Sequence, residues 1–158
     1  MSRFVTRPAR LVIAGALTLL VPASAAPAPG EPPGTVTLKV RIQGLRNDRG
    51  QVAVALFASA AQFPHSEHAF RGELTRIEGG RAEVSFRGLR PMTYAVAVLH
   101  DENQNGKMDF NFLGMPLEGY GFSRDASALF GPPSFESAAF RLLPRPSALT
   151  ISARYFSL

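Results

Sequence analysis

Apolar and polar residues alternate along several short stretches of the chain. The stretch TVTLKVRIQGL puts Val36, Leu38, Val40 and Ile42 on one side, a period of two residues that predicts a β-strand. The next apolar stretch, QVAVALFAS, is more evenly apolar and predicts a strand that is partly covered on both faces. The stretch YAVAVLH, at 94–100, predicts the strongest central strand.

Turn sequences between these stretches predict how the strands connect. RNDRG contains Asn, Asp and Gly, which tolerate or require positive φ, so the first two strands are predicted to form a hairpin. ELTRIEGGRAEVSFRGL predicts a second hairpin across Gly79 and Gly80, with inward-facing side chains at Ala82, Val84 and Phe86. The later stretches SAAFRLL and SALTISARYF predict two closing strands.

The fold class predicted from these elements is all-β. Six to seven short antiparallel strands without a long helix are typical of an immunoglobulin-like β-sandwich with Greek-key links. A closed barrel is the alternative. Residues 101–136 contain many Gly, Phe and Asn residues but little periodicity, which predicts one long Gly- and aromatic-rich loop.

The first residues of the chain have the organisation of a secretory signal peptide. Basic residues precede the apolar stretch LVIAGALTLLV, and PASA follows with small residues at cleavage spacing. This apolar stretch is too short to cross a bilayer of about 30 Å as a helix. We therefore expect a signal peptide over 1–25 with cleavage after Ala25 or Ala26, a Pro- and Gly-rich leader over 26–34, and one periplasmic or secreted domain over 35–158.

Removal of the signal peptide changes the charge of the chain. The full sequence has 17 Lys and Arg against 12 Asp and Glu, and loss of three signal arginines leaves 14 against 12, about +2. Because nucleic-acid binding needs a clustered basic face, nucleic acid is not an expected partner. The chain has no cysteine, so neither a disulfide nor a lipid attached at cysteine is expected, and no transmembrane segment should remain after cleavage.

A polar loop, HDENQNGKMDFNFLG, follows the predicted central strand. Counting Asp101 as position one places Asn103 at three, Asn105 at five, a glycine at six, Lys107 at seven and Asp109 at nine. This spacing matches the start of an EF-hand calcium loop, in which alternate side chains and the carbonyl at seven supply oxygen ligands around one ion.

Two features distinguish this loop from an EF-hand. Phe112 occupies position twelve, where the bidentate Glu should be, and no helices flank the loop. The site would therefore be completed by Asn111, Glu118 or water, with Glu118 as the candidate sixth ligand, and we expect Ca²⁺ to bind with the modest affinity of extracellular modules. Mg²⁺ is disfavoured because it demands rigid octahedral geometry. The alternative is an Asx-rich turn held by its own hydrogen bonds.

Aromatic residues are concentrated in the same long loop. Each can bury about 150–250 Å², too much apolar area to leave in water by default. One interpretation is a satellite core that holds the loop over the end of the sandwich. The other is a ligand or partner surface, since functional sites favour ordered loops on rigid scaffolds. The residues assigned to that surface are Phe112, Tyr120, Phe122, Phe130 and Phe135.

A few polar residues outside this ligand set are candidates for catalysis or zinc binding. His100 ends the central strand, and His65 and His68 lie three residues apart in PHSEH, but neither arrangement has the ligand spacing of a zinc site. Ser123 in GYGFSRD lacks the GxSxG elbow of a nucleophilic serine. Without a recognisable catalytic constellation, we expect that the protein is not an enzyme.

Several longer stretches carry a family resemblance. The run from VALF through HDENQNGKMD and GYGFS to FGPPSFESAAF resembles a bacterial exported family, domain-of-unknown-function family 2141, over about 36–155. The resemblance implies a secreted β-sandwich-like domain without an established activity. FRGLRPMTYAVAVLHDENQNG is also similar to prealbumin-like and collagen-adhesin B-type repeat modules, although Met92 stands where Gly is more common.

These observations give three hypotheses for function. The first is an exported, non-enzymatic binding module with a calcium-stabilised loop, whose partner is a small ligand, a glycan or an envelope protein. The second is a structural or assembly protein of the cell envelope that uses the aromatic loop as a protein interface. The third is a hydrolase that uses His100 with Asp101 or Glu118.

Overall fold

The structure is a computed structural model that describes residues 32–128 and 131–156. The strands are β1 Val36–Gln43, β2 Gln51–Phe57, β3 Arg71–Thr75, β4 Ala82–Leu89, β5 Thr93–Asp101, β6 Gly119–Phe122, β7 Phe140–Arg141 and β8 Ser147–Ser152. The helical elements are the short helix α1, Phe135–Ala138, and single 3₁₀ turns at Ser66–His68 and Ser123–Asp125. The predicted signal peptide and most of the predicted leader lie outside the described residues. Within the described part of the chain, no helix is long and apolar enough to span a membrane.

The strands form two sheets, in a sandwich-like, mostly β architecture. The three-stranded sheet has the order β4-β1-β8, and the larger sheet has the order β3-β2-β5-β6, with β7 also paired to β5. The continuously apolar strand β5 is central, as predicted, with β2 along one edge and β6 and β7 along the other. All pairs are antiparallel except β1 with β8, which is parallel and departs from the fully antiparallel expectation.

The two predicted hairpins are wrong. β1 and β2 enter different sheets, and so do β3 and β4, although a tight turn with a bridge between Glu78 and Arg81 does form. The two turns lie against each other because the Asp48 carboxylate accepts hydrogen bonds from Gly79 N at 2.9 Å and Gly80 N at 2.7 Å. The backbone N–H groups of Gly80 and Gly79 hold the pKa of Asp48 below its ordinary value. The turn residues therefore predict correctly where the chain reverses. They do not predict which sheet the next strand joins.

The main core lies between the two sheets. Alternate residues of β1 and β4 face it, including Val40, Ile42 and Phe86, and they meet residues of the larger sheet such as Leu56 and Val96. The inward positions predicted for β4 are confirmed, because Ala82, Val84 and Phe86 are all buried. The period of two thus determined which face of each strand is apolar.

A second apolar cluster covers the outer face of the larger sheet. Its buried members, which we call the outer-face cluster, are Phe57, Phe63, Ala95, Phe122 and Ala138. Phe57 and Ala95 come from the same strands whose alternate residues face the main core. This arrangement confirms the prediction that β2 is covered on both faces, and it explains why β2 and β5 are apolar at nearly every position.

The two sheets approach each other closely where β6 meets the end of β8. Tyr120 and Arg154 form an isolated antiparallel bridge, with Tyr120 N to Arg154 O at 2.9 Å and Arg154 N to Tyr120 O at 2.7 Å. A Cβ at Gly121 would lie 2.7 Å from the Ile151 side chain, so the approach requires glycine there. This contact brings the last described residues beside the polar loop that follows β5.

Candidate functional site

Asp101, the last residue of β5, anchors the start of the polar loop. The residue is completely buried. Its Oδ1 accepts a hydrogen bond from Asn105 N at 3.0 Å, and its Oδ2 accepts from Gly106 N at 2.9 Å and from Gln51 Nε2 at 3.1 Å. Because the carboxylate satisfies two backbone donors of the following turn, the loop wraps around it from its first residues.

Glu118 closes the loop from the other end. It is 4% exposed, and its Oε1 accepts from Glu102 N at 2.9 Å while its Oε2 accepts from Asp109 N at 3.3 Å. Leu117 N also donates to Asp109 O at 2.8 Å. Both ends of the loop are therefore fixed by a buried carboxylate that accepts backbone N–H groups, which makes residues 101–118 an ordered unit rather than a loose connection.

Asn103, Asn105 and Asp109 meet at one place. The side-chain amide nitrogens of Asn103 and Asn105 donate to Asp109 Oδ2 at 2.6 Å and 2.9 Å. Their amide oxygens accept from Asn105 N at 3.1 Å and Lys107 N at 2.8 Å. The described contacts are those of the Asx-rich turn that was the alternative to a metal site. The proposed side-chain ligands nevertheless belong to one hydrogen-bond network, which contains Asp101, Asn103, Asn105 and Asp109.

The loop contains the carboxylate and amide oxygens that a calcium site needs. The Asn103 and Asn105 side chains, however, direct their amide nitrogens toward Asp109 rather than their oxygens. Carboxylate and amide oxygens are the hard ligands that Ca²⁺ takes. Rotating the Asn103 and Asn105 amides by 180° would exchange nitrogen for oxygen beside Asp109, at the cost of two backbone hydrogen bonds. Among the described residues, no group of three or more His, Asp or Glu is arranged to hold a metal, so amide and carbonyl oxygens would have to supply much of the coordination.

His100 lies at the centre of a buried polar network beneath the loop. The side chain is fully buried, with Nε2 2.8 Å from Arg49 O and Nδ1 2.6 Å from the Tyr155 hydroxyl. A carbonyl can only accept, so Nε2 carries a hydrogen, and in the neutral ring Nδ1 then accepts from the Tyr155 hydroxyl. The Tyr155 oxygen in turn accepts from Arg46 N at 3.0 Å. Both ring nitrogens are thus engaged in structural hydrogen bonds.

Arg46 extends this network to the loop itself. Its guanidinium lies 4.7 Å from the centre of the Tyr155 ring, pairs with Glu102 at 2.5 Å and donates to Leu117 O at 3.1 Å. Burial raises the pKa of Tyr155. Burial also opposes ionisation of Glu102, but hydrogen bonds from Asn47 and Arg46 outweigh it and hold the pKa of Glu102 below its ordinary value.

Neither Arg46 nor Tyr155 is a candidate site residue by sequence pattern. These two residues are 109 positions apart, and no spacing rule connects them. One available signal is Gly119, in the GYGFS stretch: a Cβ there would lie 2.4 Å from the Tyr155 ring, so glycine is required for the ring to pack against β6. A glycine in a strand often marks such a close approach.

The far end of the loop exposes large apolar side chains. The exposed fractions are 58% for Phe110, 95% for Phe112, 59% for Leu113 and 50% for Leu117. We call these four residues the apolar tip. The backbone that carries them is ordered, since Asn111 N donates to Met115 O at 2.9 Å and the Asn111 side chain accepts from the backbone of residues 113 and 115.

The other aromatic residues assigned to the ligand surface lie elsewhere. Phe122 is a buried member of the outer-face cluster, and Phe135 and Tyr120 are partly buried and pack against that cluster. The rings of Phe122 and Phe135 both lie within 6 Å of the Phe63 ring. Phe130 lies outside the described residues. The satellite-core interpretation therefore applies to Phe122, Phe135 and Tyr120, whereas Phe112 alone of the described four projects into solvent.

The remaining candidates for catalysis or zinc binding have structural or surface environments. The Ser123 hydroxyl is buried and bonds Val96 N at 2.9 Å and Ala138 O at 2.6 Å, which attaches α1 to the larger sheet. His65 and His68 lie on an exposed turn with ring centres 6.4 Å apart. His65 Nδ1 lies 3.9 Å from Glu67 Oε1, but in the described part of the chain these residues are not joined by a third His, Asp or Glu in a group that could hold a metal.

The chain matches the profile of a bacterial protein family. The profile of a family described as "Uncharacterized protein conserved in bacteria (DUF2141)" matches residues 40–150. None of the curated proteins matches the chain.

The similar solved structures are distant. One is a leucine-rich repeat protein from Bacteroides thetaiotaomicron, at 10% identity and a TM-score of 0.32, covering 77% of this chain and 12% of that protein. Another is the pilus-presented adhesin Spy0125 (Cpa), at 14% identity and a TM-score of 0.25, covering 78% of this chain and 28% of that protein. The chain thus corresponds to a small part of either protein's length.

Proposed function

We propose that this chain, which belongs to the bacterial family DUF2141, is an exported, non-enzymatic binding module that presents its apolar tip to a protein of the cell envelope. The observation that carries the proposal is the 95% exposure of Phe112 on a loop whose backbone is ordered at both ends. An exposed aromatic ring on an ordered loop loses little conformational freedom on binding, which favours its use as an anchor.

A protein partner is favoured over a small ligand or a glycan because the apolar tip projects from the molecule. Small ligands bind in concave sites, whereas Phe112 and its three apolar neighbours are each at least half exposed. Such a projection fits an apolar groove on a second protein surface. A non-enzymatic role is supported by His100, since both nitrogens of this candidate base are engaged and its ring is buried.

We further propose that Ca²⁺ stabilises the loop that carries the tip. The proposed ligands are Asp101, Asn103, Asn105, Asp109 and the Lys107 carbonyl, with Glu118 as the sixth. The hydrogen bonds of both asparagine amides to Asp109 support this proposal, because they bring these polar groups together before any ion is added. In the ion-bound state the amides would turn, and the ion would replace the two hydrogen bonds.

Photocrosslinking tests the binding proposal. A photoreactive phenylalanine analogue is placed at Phe112, and in a control protein at Leu74, which is 65% exposed on the edge strand β3. In cells that export the protein, position 112 should give one discrete protein adduct that position 74 does not give. The adduct should disappear when Leu113 and Leu117 are both replaced by Ser. Equal adducts at the two positions, or none at 112, would contradict the proposal.

Thermal unfolding with and without calcium tests the cation. For a dissociation constant of about 0.1 mM, 1 mM Ca²⁺ should add roughly 1.4 kcal/mol, or about 5 °C in Tm, relative to excess chelator. Asp109→Asn should remove most of this shift, whereas Glu73→Gln, at an exposed carboxylate on β3, should keep it. If the wild-type Tm is the same in calcium and chelator, the loop is held by its own hydrogen bonds.

A further inference from the structure

A cleft away from the loop lies between the outer side of the three-stranded sheet and the connection from β3 to β4. Its volume is about 530 Å³, within the range of small-ligand sites of about 300–1,000 Å³. Residues from β1, β3, β4, β8 and the connection line it. The lining residues that matter here are Arg41, Thr75, Arg76, Glu78, Arg81 and Thr150.

Two guanidinium groups in this cleft are available to a ligand. The side chains of Arg76 and Arg81 are exposed, and within the described part of the chain neither guanidinium forms an ion pair or a hydrogen bond. By contrast, the Glu83 carboxylate beside them is already paired, with Lys39 at 2.8 Å and with Arg41 at 3.1 Å. The acidic neighbour is therefore neutralised by other cations, and Arg76 and Arg81 remain unpaired.

Charge is concentrated at this cleft. Among the lining residues, Arg41, Arg76 and Arg81 stand against Glu78 and Glu83, which leaves a local charge of +1. A local positive charge of this size attracts anions and raises their local concentration.

We infer that the cleft binds a phosphate ester on a small polar molecule, with a sugar phosphate as the fitting class. Two arginines in one cleft suit a phosphate because each planar guanidinium can donate two parallel hydrogen bonds to its oxygens. Thr150 contributes a hydroxyl and Gln43 an amide to the same cleft, and such neutral groups suit the hydroxyls of a sugar. This site is separate from the apolar tip and from the calcium loop, so it does not depend on the proposed function.

Titration calorimetry of the mature protein at low salt tests the inference. Glucose 6-phosphate should bind, inorganic phosphate should bind more weakly, and glucose should not bind. Arg76→Gln combined with Arg81→Gln should weaken binding by at least about tenfold, the loss expected when charge-assisted hydrogen bonds are removed. Glu78→Gln should instead strengthen binding by roughly threefold, because it removes a like charge from the ligand's surroundings.

Arg145→Gln is the matched control, since Arg145 is exposed beyond the opposite end of β8 and should leave the affinity unchanged. Vesicles containing phosphatidylglycerol separate a lipid phosphate from a soluble one. Binding to vesicles alone, lost in the Arg76 and Arg81 double variant, would identify the phosphate as a lipid headgroup and overturn the sugar phosphate. Absence of binding to every phosphate probe, or equal binding by the double variant, would overturn the site.

Discussion

Phenylalanine side chains have opposite environments at the two ends of β5. Beside the start of this strand, the rings of Phe57, Phe63 and Phe122 pack edge to face in the outer-face cluster. Beyond its other end, Phe110 and Phe112 are 58% and 95% exposed. Phe112 and Phe122 both lie in the same Gly- and aromatic-rich stretch, 101–136, so composition alone does not separate them.

The difference lies in what orders each region. The outer-face cluster is ordered by apolar burial, with aromatic pairs adding a further contribution. The loop is ordered by polar contacts, from Asp101 and Glu118 to backbone N–H groups, and its rings are not needed for that order. Apolar side chains that an ordered region leaves exposed are therefore the better candidates for binding a partner.

The largest expected effect is the loss of stability when a buried ring of the outer-face cluster is removed. Phe63→Ala should lower the free energy of unfolding by about 3–5 kcal/mol, because it removes a buried ring that contacts three other rings. Phe112→Ala should change it by no more than about 0.5 kcal/mol. Urea unfolding of the mature proteins measures both. A comparable loss in the two variants would show that Phe112 packs in solution and would remove the contrast.

The second-largest expected effect is on the hydrogen bonds that join His100 and Arg46 to Tyr155 beneath the loop. Tyr155→Phe should cost about 1–3 kcal/mol, since it leaves Nδ1 of the fully buried His100 ring without its partner and also removes the acceptor of the exposed Arg46 N. Tyr120→Phe is the control, because the Tyr120 hydroxyl forms no hydrogen bond among the described residues. Equal unfolding midpoints for wild type and Tyr155→Phe would show that the network contributes nothing to stability.

The smallest expected effect is a pH dependence confined to the loop end. The pKa of Glu102 is lowered in the folded state from its ordinary value of 4.5, so its ionised form adds stability above that pH. The contribution is lost as the pH falls through the folded pKa. Because burial of the Glu102 side chain opposes the hydrogen bonds that lower its pKa, the contribution should amount to about 1 kcal/mol or less.

Urea unfolding between pH 6 and pH 3 measures this dependence. Glu102→Gln should flatten the acid side of the stability curve, whereas Phe63→Ala should lower the curve without changing its slope. An unchanged slope in Glu102→Gln would show that other carboxylates, such as Asp48, account for the acid sensitivity. Asp48 is a reasonable alternative because its own pKa is lowered by Gly80 and Gly79 N–H groups.

Local sequence pattern determined most of the strands and their faces, but β6, Gly119–Phe122, lies in the stretch 101–136 that was predicted to be a loop. Residues Val36 to Ile42 and Ala82 to Phe86 alternate with a period of two, and their apolar positions are the ones that enter the core. A strand's two faces are set by its own residues, because successive side chains point to opposite sides. The position of the polar loop immediately after β5 could likewise be predicted from the sequence, because its Asp, Asn and Gly residues have strong local turn preferences.

Only the tertiary structure decided which strands pair and which polar and aromatic residues meet. Two turn sequences that looked like hairpins send the chain from one sheet to the other, and β8 joins β1 in parallel. The contact of Arg46 with Tyr155 and the separation of Phe112 from Phe122 follow from that pairing. These contacts join residues far apart in the chain, and their free energy depends on the packing of both sheets, so no local pattern records them.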